Sequence, residues 1–256
     1  MDNVQKLPYS VDSGLGKTAK LGLIVLQTDQ TIEAEFRHML AIDGVACYHS
    51  RIVNAMQVTP QTLAQMQLDL PMAAQLLPQA FAFDAIGYGC TSGATIIGEQ
   101  QVSQLILEQH PNAKVSNPLT AFKAACAALK LNTLALLTPY TPKVTQALSD
   151  NLSAAGIRVS NTGYFDIEND FEVGRVNSAS LLSAIMAIGG HKNCEAVFVS
   201  CTSLRMAHII LQAEQALGKP VISSNQALAW HLLRLCGINH QLTQFGCLFK
   251  QALAPQ

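Results

Sequence analysis

The chain has 256 residues, room for one large domain or for two small α/β lobes sharing a cleft. With 49% hydrophobic and only 13% charged residues it can bury a large core, which excludes disorder away from the ends and favours a homo-oligomer. A formal net charge of -1 excludes the electrostatic footprint of a nucleic-acid or anionic-membrane binder.

Residues 1–20 are polar, with Gly14, Gly16 and three lysines, and read as a flexible N-terminal tail without the apolar core of a signal peptide. Within them, Ser13-Gly-Leu-Gly-Lys-Thr18 ends like a phosphate-binding loop. Val11 stands where the first glycine belongs, however, and the segment precedes a strand instead of following one. Leu21-Gly-Leu-Ile-Val-Leu-Gln-Thr-Asp29 is a nearly continuous apolar run, the pattern of a parallel strand buried on both faces. A helix from Ile32 to Leu40 follows, then a second strand, Val45 to Tyr48, and helical patterns interrupted by Pro60, Pro71 and Pro78. The strand Phe83 to Gly89 runs into Cys90-Thr-Ser-Gly93 and a helix reaching about His110. Gly87 to Gly93 nearly matches a dinucleotide fingerprint, but Ser92 occupies the place of the third glycine.

The order then repeats. Asn132 to Thr138 reads as a strand, Thr141 to Ala155 as a helix and Gly156 to Val159 as a strand. Ala196 to Ser200 leads into Cys201-Thr-Ser203 and a helix from Leu204 to about Leu217. Leu21 and Asn132 lie 111 positions apart, and so do Cys90 and Cys201, which points to a duplicated lobe. The fold class is therefore α/β, two pseudo-twofold-related lobes, each a parallel sheet flanked by helices, with an active-site cleft between them. Chain crossings are expected at Ser116-Asn-Pro118 and Ser223-Ser-Asn225, each after a short strand. They divide the chain into lobe 1 (21–118 plus 226–256) and lobe 2 (119–225).

Seven cysteines, an odd number with no CxxC pair and no metal-ligand cluster, read as free thiols in a reducing cytoplasm. Cys47, Cys126, Cys194, Cys236 and Cys247 sit in apolar stretches and read as packing residues. Cys90 and Cys201 differ, because they share a strand-end position, a Thr-Ser sequel and the repeat offset. Ligands of parallel sheets bind beyond the carboxyl ends of the strands, where these two residues stand. A free thiol has a pKa of about 8.5, and a helix N-terminus lowers it. Two such thiols on opposite faces of a substrate form the acid/base pair that racemisation α to a carboxylate needs. They also suit cis–trans isomerisation, in which one sulfur adds to a double bond, rotation follows and the other moves the proton. Among weaker signals, the seven histidines are scattered, and Arg205 is placed in a helix's first turn, where a salt bridge is the plainer use. Trp230 reads as core or interface packing.

With Gly22-Leu-Ile-Val-Leu, Thr31-Ile-Glu33, Gly89-Cys-Thr-Ser-Gly93, Thr138-Pro-Tyr140, Ser200-Cys-Thr-Ser-Leu-Arg205 and Leu217 to Ala227, the chain resembles the aspartate/glutamate racemase superfamily. The nearest resemblance is to its maleate cis–trans isomerase branch, and within that to ectoine-utilisation racemase-like proteins. The resemblance implies a cofactor-independent isomerase or racemase of a small amino or dicarboxylic acid, with Cys90 and Cys201 catalytic and no metal. It places Tyr140, Thr91, Ser92 and Thr202 at substrate-binding positions. Where the isomerases carry two asparagines, this chain has Asp29 and, beside Asn169, Asp170. A carboxylate there repels a dicarboxylate, so Asp29 points towards a substrate bearing an ammonium or amide group. Arylmalonate decarboxylases use only the second cysteine, so Cys90 speaks against decarboxylation. The reading from another class is a non-catalytic metabolite-binding protein, which would not need both thiols.

Overall fold

The apolar run at the start of the chain forms β1 (Ala19–Leu26), buried on both faces except at Lys20. It lies at the centre of the first sheet in a computed structural model that describes residues 4–255. The strand begins two residues inside the segment read as tail, and residues 1–3 of that tail lie outside the described residues. α1 (Ile32–Met39) leads to β2 (Val45–Ile52), four residues longer than expected. Thr59 and Thr62 form a capping box with Pro60 at the first helical turn, and they start α2 (Pro60–Gln75), which carries Pro71 within it. β3 (Ala85–Gly89) runs into α3 (Thr91–Ile97). The single helix expected to reach His110 is broken at Gly98, whose φ of 96° no continuing helix adopts, and resumes as α4 (Glu99–Leu107). β4 (Lys114–Ser116) closes this half.

The second half contains α5 (Pro118–Leu129), β5 (Thr133–Thr138), α6 (Pro142–Ala154) and β6 (Arg158–Tyr164). After it come α7 (Asp170–Val173), α8 (Ser178–Gly189) and β7 (Ala196–Val199). α9 (Ile210–Leu217), β8 (Val221–Ser223) and α10 (Ser224–Leu235) complete it. All strand pairs are parallel, in the orders β2-β1-β3-β4 and β6-β5-β7-β8, the same order shifted by four strands.

The strand register refines the duplication. Leu21 pairs with Ala85 and Leu134 with Ala196, so β3 and β7 are offset by 111 positions (85 to 196). β1 and β5 are offset by 113 (21 to 134), because the intervening connections differ in length. The equal offset therefore belongs to the cysteine-bearing strands and not to the first strand of each half.

α5 and α10 pack on each other, and α10 also packs on α1 and β3. Asn117 caps α5 with its side chain, and Ser223 with Gln226 forms a capping box on α10. Trp230 on α10 is fully buried and its indole N–H donates to the Gln251 carbonyl at 3.0 Å, so it is a core residue. Phe122 of α5 stacks on Phe198 of β7 with centroids 3.7 Å apart, both fully buried. Truncating Phe198 to alanine removes this stack and leaves a cavity, at a cost of about 3–5 kcal/mol. The expected outcome is a melting temperature lower by roughly 10 °C, checked by calorimetry. No helix among the described residues is long and apolar enough to cross a membrane.

Candidate active site

Both cysteines end a central strand, but their surroundings differ. Cys90 is the N-cap of α3, with extended backbone, and its sulfur accepts the Gly93 N–H at 3.2 Å and lies 3.6 Å from the Ser92 hydroxyl. Glycine is required at 93, since a Cβ there would sit 2.5 Å from the Tyr88 hydroxyl and 3.0 Å from the Cys90 sulfur. Cys201 follows Ser200 at the end of β7, and its sulfur accepts the Ser203 N–H at 3.4 Å. The helix expected from Leu204 starts only at Ile210, so Cys201 has no helix N-terminus behind it. Contacts to the other half explain this: Thr31 donates its hydroxyl to the Ser203 carbonyl, and Glu35 takes the N–H groups of Met206 and Ala207. Helix propensity in the Leu204-Arg-Met-Ala207 stretch is overridden by these tertiary bonds. Arg205, expected in a first helical turn beside a carboxylate, is exposed and donates instead to the Val176 carbonyl.

The two cysteine turns are tied together. Thr91 and Ser224 share a hydroxyl hydrogen bond of 2.8 Å, and Ser224 accepts the Cys201 N–H at 3.1 Å. The Thr202 hydroxyl donates to the Gly89 carbonyl at 3.3 Å. Between the turns lies a small cavity of about 20 Å³. Cys90, Thr91, Ser92, Tyr140, Asp170, Cys201 and Thr202 all line it, so seven of the eight residues expected in the site meet on one cavity. Tyr140 is buried, with its phenol beside Cys201 and Ser92. Asp170, the first residue of α7, accepts the Thr28 hydroxyl at 2.5 Å and the Ser203 hydroxyl at 3.0 Å.

Asp29 does not line the cavity. One of its carboxylate oxygens accepts the N–H groups of Thr31 and Ile32 at 2.7 and 2.8 Å, the turn that starts α1, and the other has no partner. Burial pushes its pKa up, the N–H groups of Ile32 and Thr31 pull the other way, and the neighbouring Asp170 adds to the rise. The carboxylate in the cavity wall is thus Asp170, and no lysine, arginine or histidine is among the described lining residues. Asn54, Gln57 and Met66 also line the cavity and carried no signal in the sequence. Asn54 and Gln57 lie in the connection between β2 and α2, and Met66 lies in α2, whose apolar spacing reads as ordinary core.

Burial pushes the Cys90 thiol up to about 11, although Ser92 and the Gly93 N–H pull the other way. Cys201 is pushed further up by burial and next by the Asp170 charge, with Tyr140 and the Ser203 N–H offsetting only part. The expected lowering at a helix end is outweighed by desolvation, which favours the neutral form of both thiols. Iodoacetamide labelling of Cys90 in the free protein is therefore expected to rise about tenfold per pH unit between pH 7 and 10. Peptide mass spectrometry checks this, and a plateau near pH 8 would show that burial does not dominate.

A family model described as arylmalonate decarboxylase matches residues 48–249. A maleate isomerase of Alcaligenes faecalis is 25% identical over 94% of this chain and 99% of its own length. The crystal structure of a maleate isomerase variant of Pseudomonas putida S16 with maleate superposes with a TM-score of 0.84 at 22% identity, covering 93% of this chain and 99% of that one. A cysteine-to-serine variant of the Nocardia farcinica maleate cis–trans isomerase, with a covalently bound succinylcysteine intermediate, superposes with a TM-score of 0.85 at 22% identity. That match covers 91% of this chain and 98% of the other.

Proposed function

For a chain that belongs to the arylmalonate decarboxylase family, we propose a cofactor-independent isomerase that works on a small carboxylate with Cys90 and Cys201. The observation that carries this reading is that two thiols, one from each sheet, face a single small cavity. In the cis–trans form of the reaction, one thiol gives up its proton and its sulfur adds to an alkene carbon. The alkene electron pair passes to the neighbouring carbon beside the carboxylate, where it takes a proton from the second thiol, which recovers the proton that the first gave up. Rotation about the resulting single bond, removal of that proton and expulsion of the sulfur restore the alkene in the other geometry. The succinylcysteine intermediate of the Nocardia relative is the kind of adduct this addition yields. In the racemising form the same two thiols exchange a proton on opposite faces of a chiral carbon.

Thr91, Ser92 and Thr202 supply polar walls for the substrate carboxylate, and Tyr140 serves the Cys201 side. The relatives favour maleate as substrate. Asp170 favours a second reading, a substrate that carries an ammonium or amide group, because a carboxylate in a buried wall without a lining cation repels a second carboxylate. Incubation in deuterium oxide with maleate, aspartate, glutamate and phenylmalonate tests the assignment, read by NMR. Fumarate from maleate, or deuterium at the α-carbon of an amino acid, is the expected result. Carbon dioxide from phenylmalonate with neither of these would overturn it in favour of decarboxylation. Silence with all four, together with tight binding of one, would favour the metabolite-binding protein.

A further inference from the structure

We infer that Glu35 is the positioning residue for the second thiol, a carboxylate from the first half of the chain that clamps the non-helical loop carrying Cys201 against Cys90. The inference rests on the reading of Cys90 and Cys201 as a working pair.

α1 delivers Glu35 into the interior, where only 6% of the residue is exposed. One carboxylate oxygen accepts the N–H groups of Met206 and Ala207, at 2.6 and 2.7 Å. The other accepts the side-chain amide of Asn225 at 2.9 Å. The same amide nitrogen donates at 2.8 Å to the carbonyl of Thr202, the residue after Cys201. One carboxylate therefore holds the loop directly at 206–207 and, through Asn225, at 202. Cys90 needs no such device, because α3 holds its turn. Glu35 does not line the cavity, so its part is to place Cys201 and not to touch substrate.

Among the described residues no cation pairs with this buried carboxylate. The loop presents N–H groups, α10 presents the Asn225 amide, and the titratable neighbour is Asp29 from the turn before α1, which adds repulsion. Burial pushes Glu35 up to about 7, with the three hydrogen bonds opposing it. On protonation, the oxygen facing Asn225 becomes a donor opposite a donor. The buried Asn225 carbonyl oxygen has no partner among the described residues and is the acceptor at hand. To use it the amide must turn over and release the Thr202 carbonyl. Acid thus loosens the loop at 202 while both thiols stay protonated throughout.

The sign of the stability effect sets this apart from unfolding. A carboxyl whose folded pKa is raised gives stability that is present below its unfolded value of 4.5 and is lost as pH rises through about 7. The Glu35 contribution to global stability therefore improves on acidification over the range in which the loop loosens.

Amide hydrogen exchange on the full chain tests the proposal, with wild type, Glu35→Gln and Glu35→Ala compared between pH 5.5 and 8.5 after correction for intrinsic rates. In wild type, exchange across 201–209 is expected to be about tenfold faster below a midpoint near 7 than above it, with the turn at 90–93 unchanged. Glu35→Gln keeps the acceptor for Met206 and Ala207 but opposes Asn225 with a donor, so its loop should exchange fast at every pH. If Glu35→Ala fails to fold, the glutamine protein still decides. Unchanged loop exchange in Glu35→Gln, or an increase spread evenly over both sheets, would overturn the clamp. A loosened loop in a protein whose turnover survives loss of either cysteine would overturn the thiol reading, and with it the catalytic purpose of the clamp.

Discussion

Cys90→Ala and Cys201→Ala proteins will each lose turnover by about a thousandfold or more, and they will fail in different ways. A positioned acid or base contributes about 10²–10⁴, and a covalent nucleophile is indispensable to its step. If the chemistry is cis–trans isomerisation, the variant lacking the adding sulfur forms no adduct at all. The variant lacking the proton-moving thiol should add substrate and stall, gaining the mass of one substrate molecule. If the chemistry is racemisation, each variant should lose solvent exchange from one enantiomer and keep a residue of it from the other. Intact-mass measurement and exchange from separate enantiomers read both patterns. Full activity in either variant would sink the two-thiol mechanism, whatever the other does.

That the two thiols meet was legible in the sequence, because their shared strand-end position and 111-residue offset leave few other arrangements. Their state was not. A cysteine before a helix suggests a lowered pKa, but Cys90 is buried, and burial decides. The loop after Cys201 was misread as helix, since Leu, Arg, Met and Ala are all helix formers. What melts that helix is Glu35, 166 positions earlier than Cys201 and visible only once the two halves are packed. Asn54, Gln57 and Met66 were silent for a similar reason: a loop and one turn of an apolar helix reach a cavity only by tertiary placement. Asp29 and Asp170 were both picked out, and the fold separates them. Asp29 spends one oxygen on the start of α1, and Asp170 stands in the cavity wall.

This separation makes Asp170→Asn the substitution with the largest expected effect on substrate choice. The carboxylate is held by two hydroxyls, from Thr28 and Ser203, so the isosteric amide fits the same place with little strain. Two consequences follow from removing its charge. It adds to the raised pKa of both thiols, so both thiolates become easier to form, and labelling of Cys90 and Cys201 at a fixed pH should increase. A dicarboxylate also no longer meets a buried negative charge, while an ammonium group loses its partner. A nearby charge shifts such an equilibrium by about 1–3 pKa units, so the preference for dicarboxylate over amino acid should rise about 100-fold. Competition between maleate and aspartate for protection of the thiols against iodoacetamide measures this without a productive substrate. Asp29→Asn is the control: its side chain caps α1 outside the cavity, so it should change stability and leave the preference within a few-fold. If Asp29→Asn shifted the preference and Asp170→Asn did not, the carboxylate that selects the substrate would be the one behind the wall.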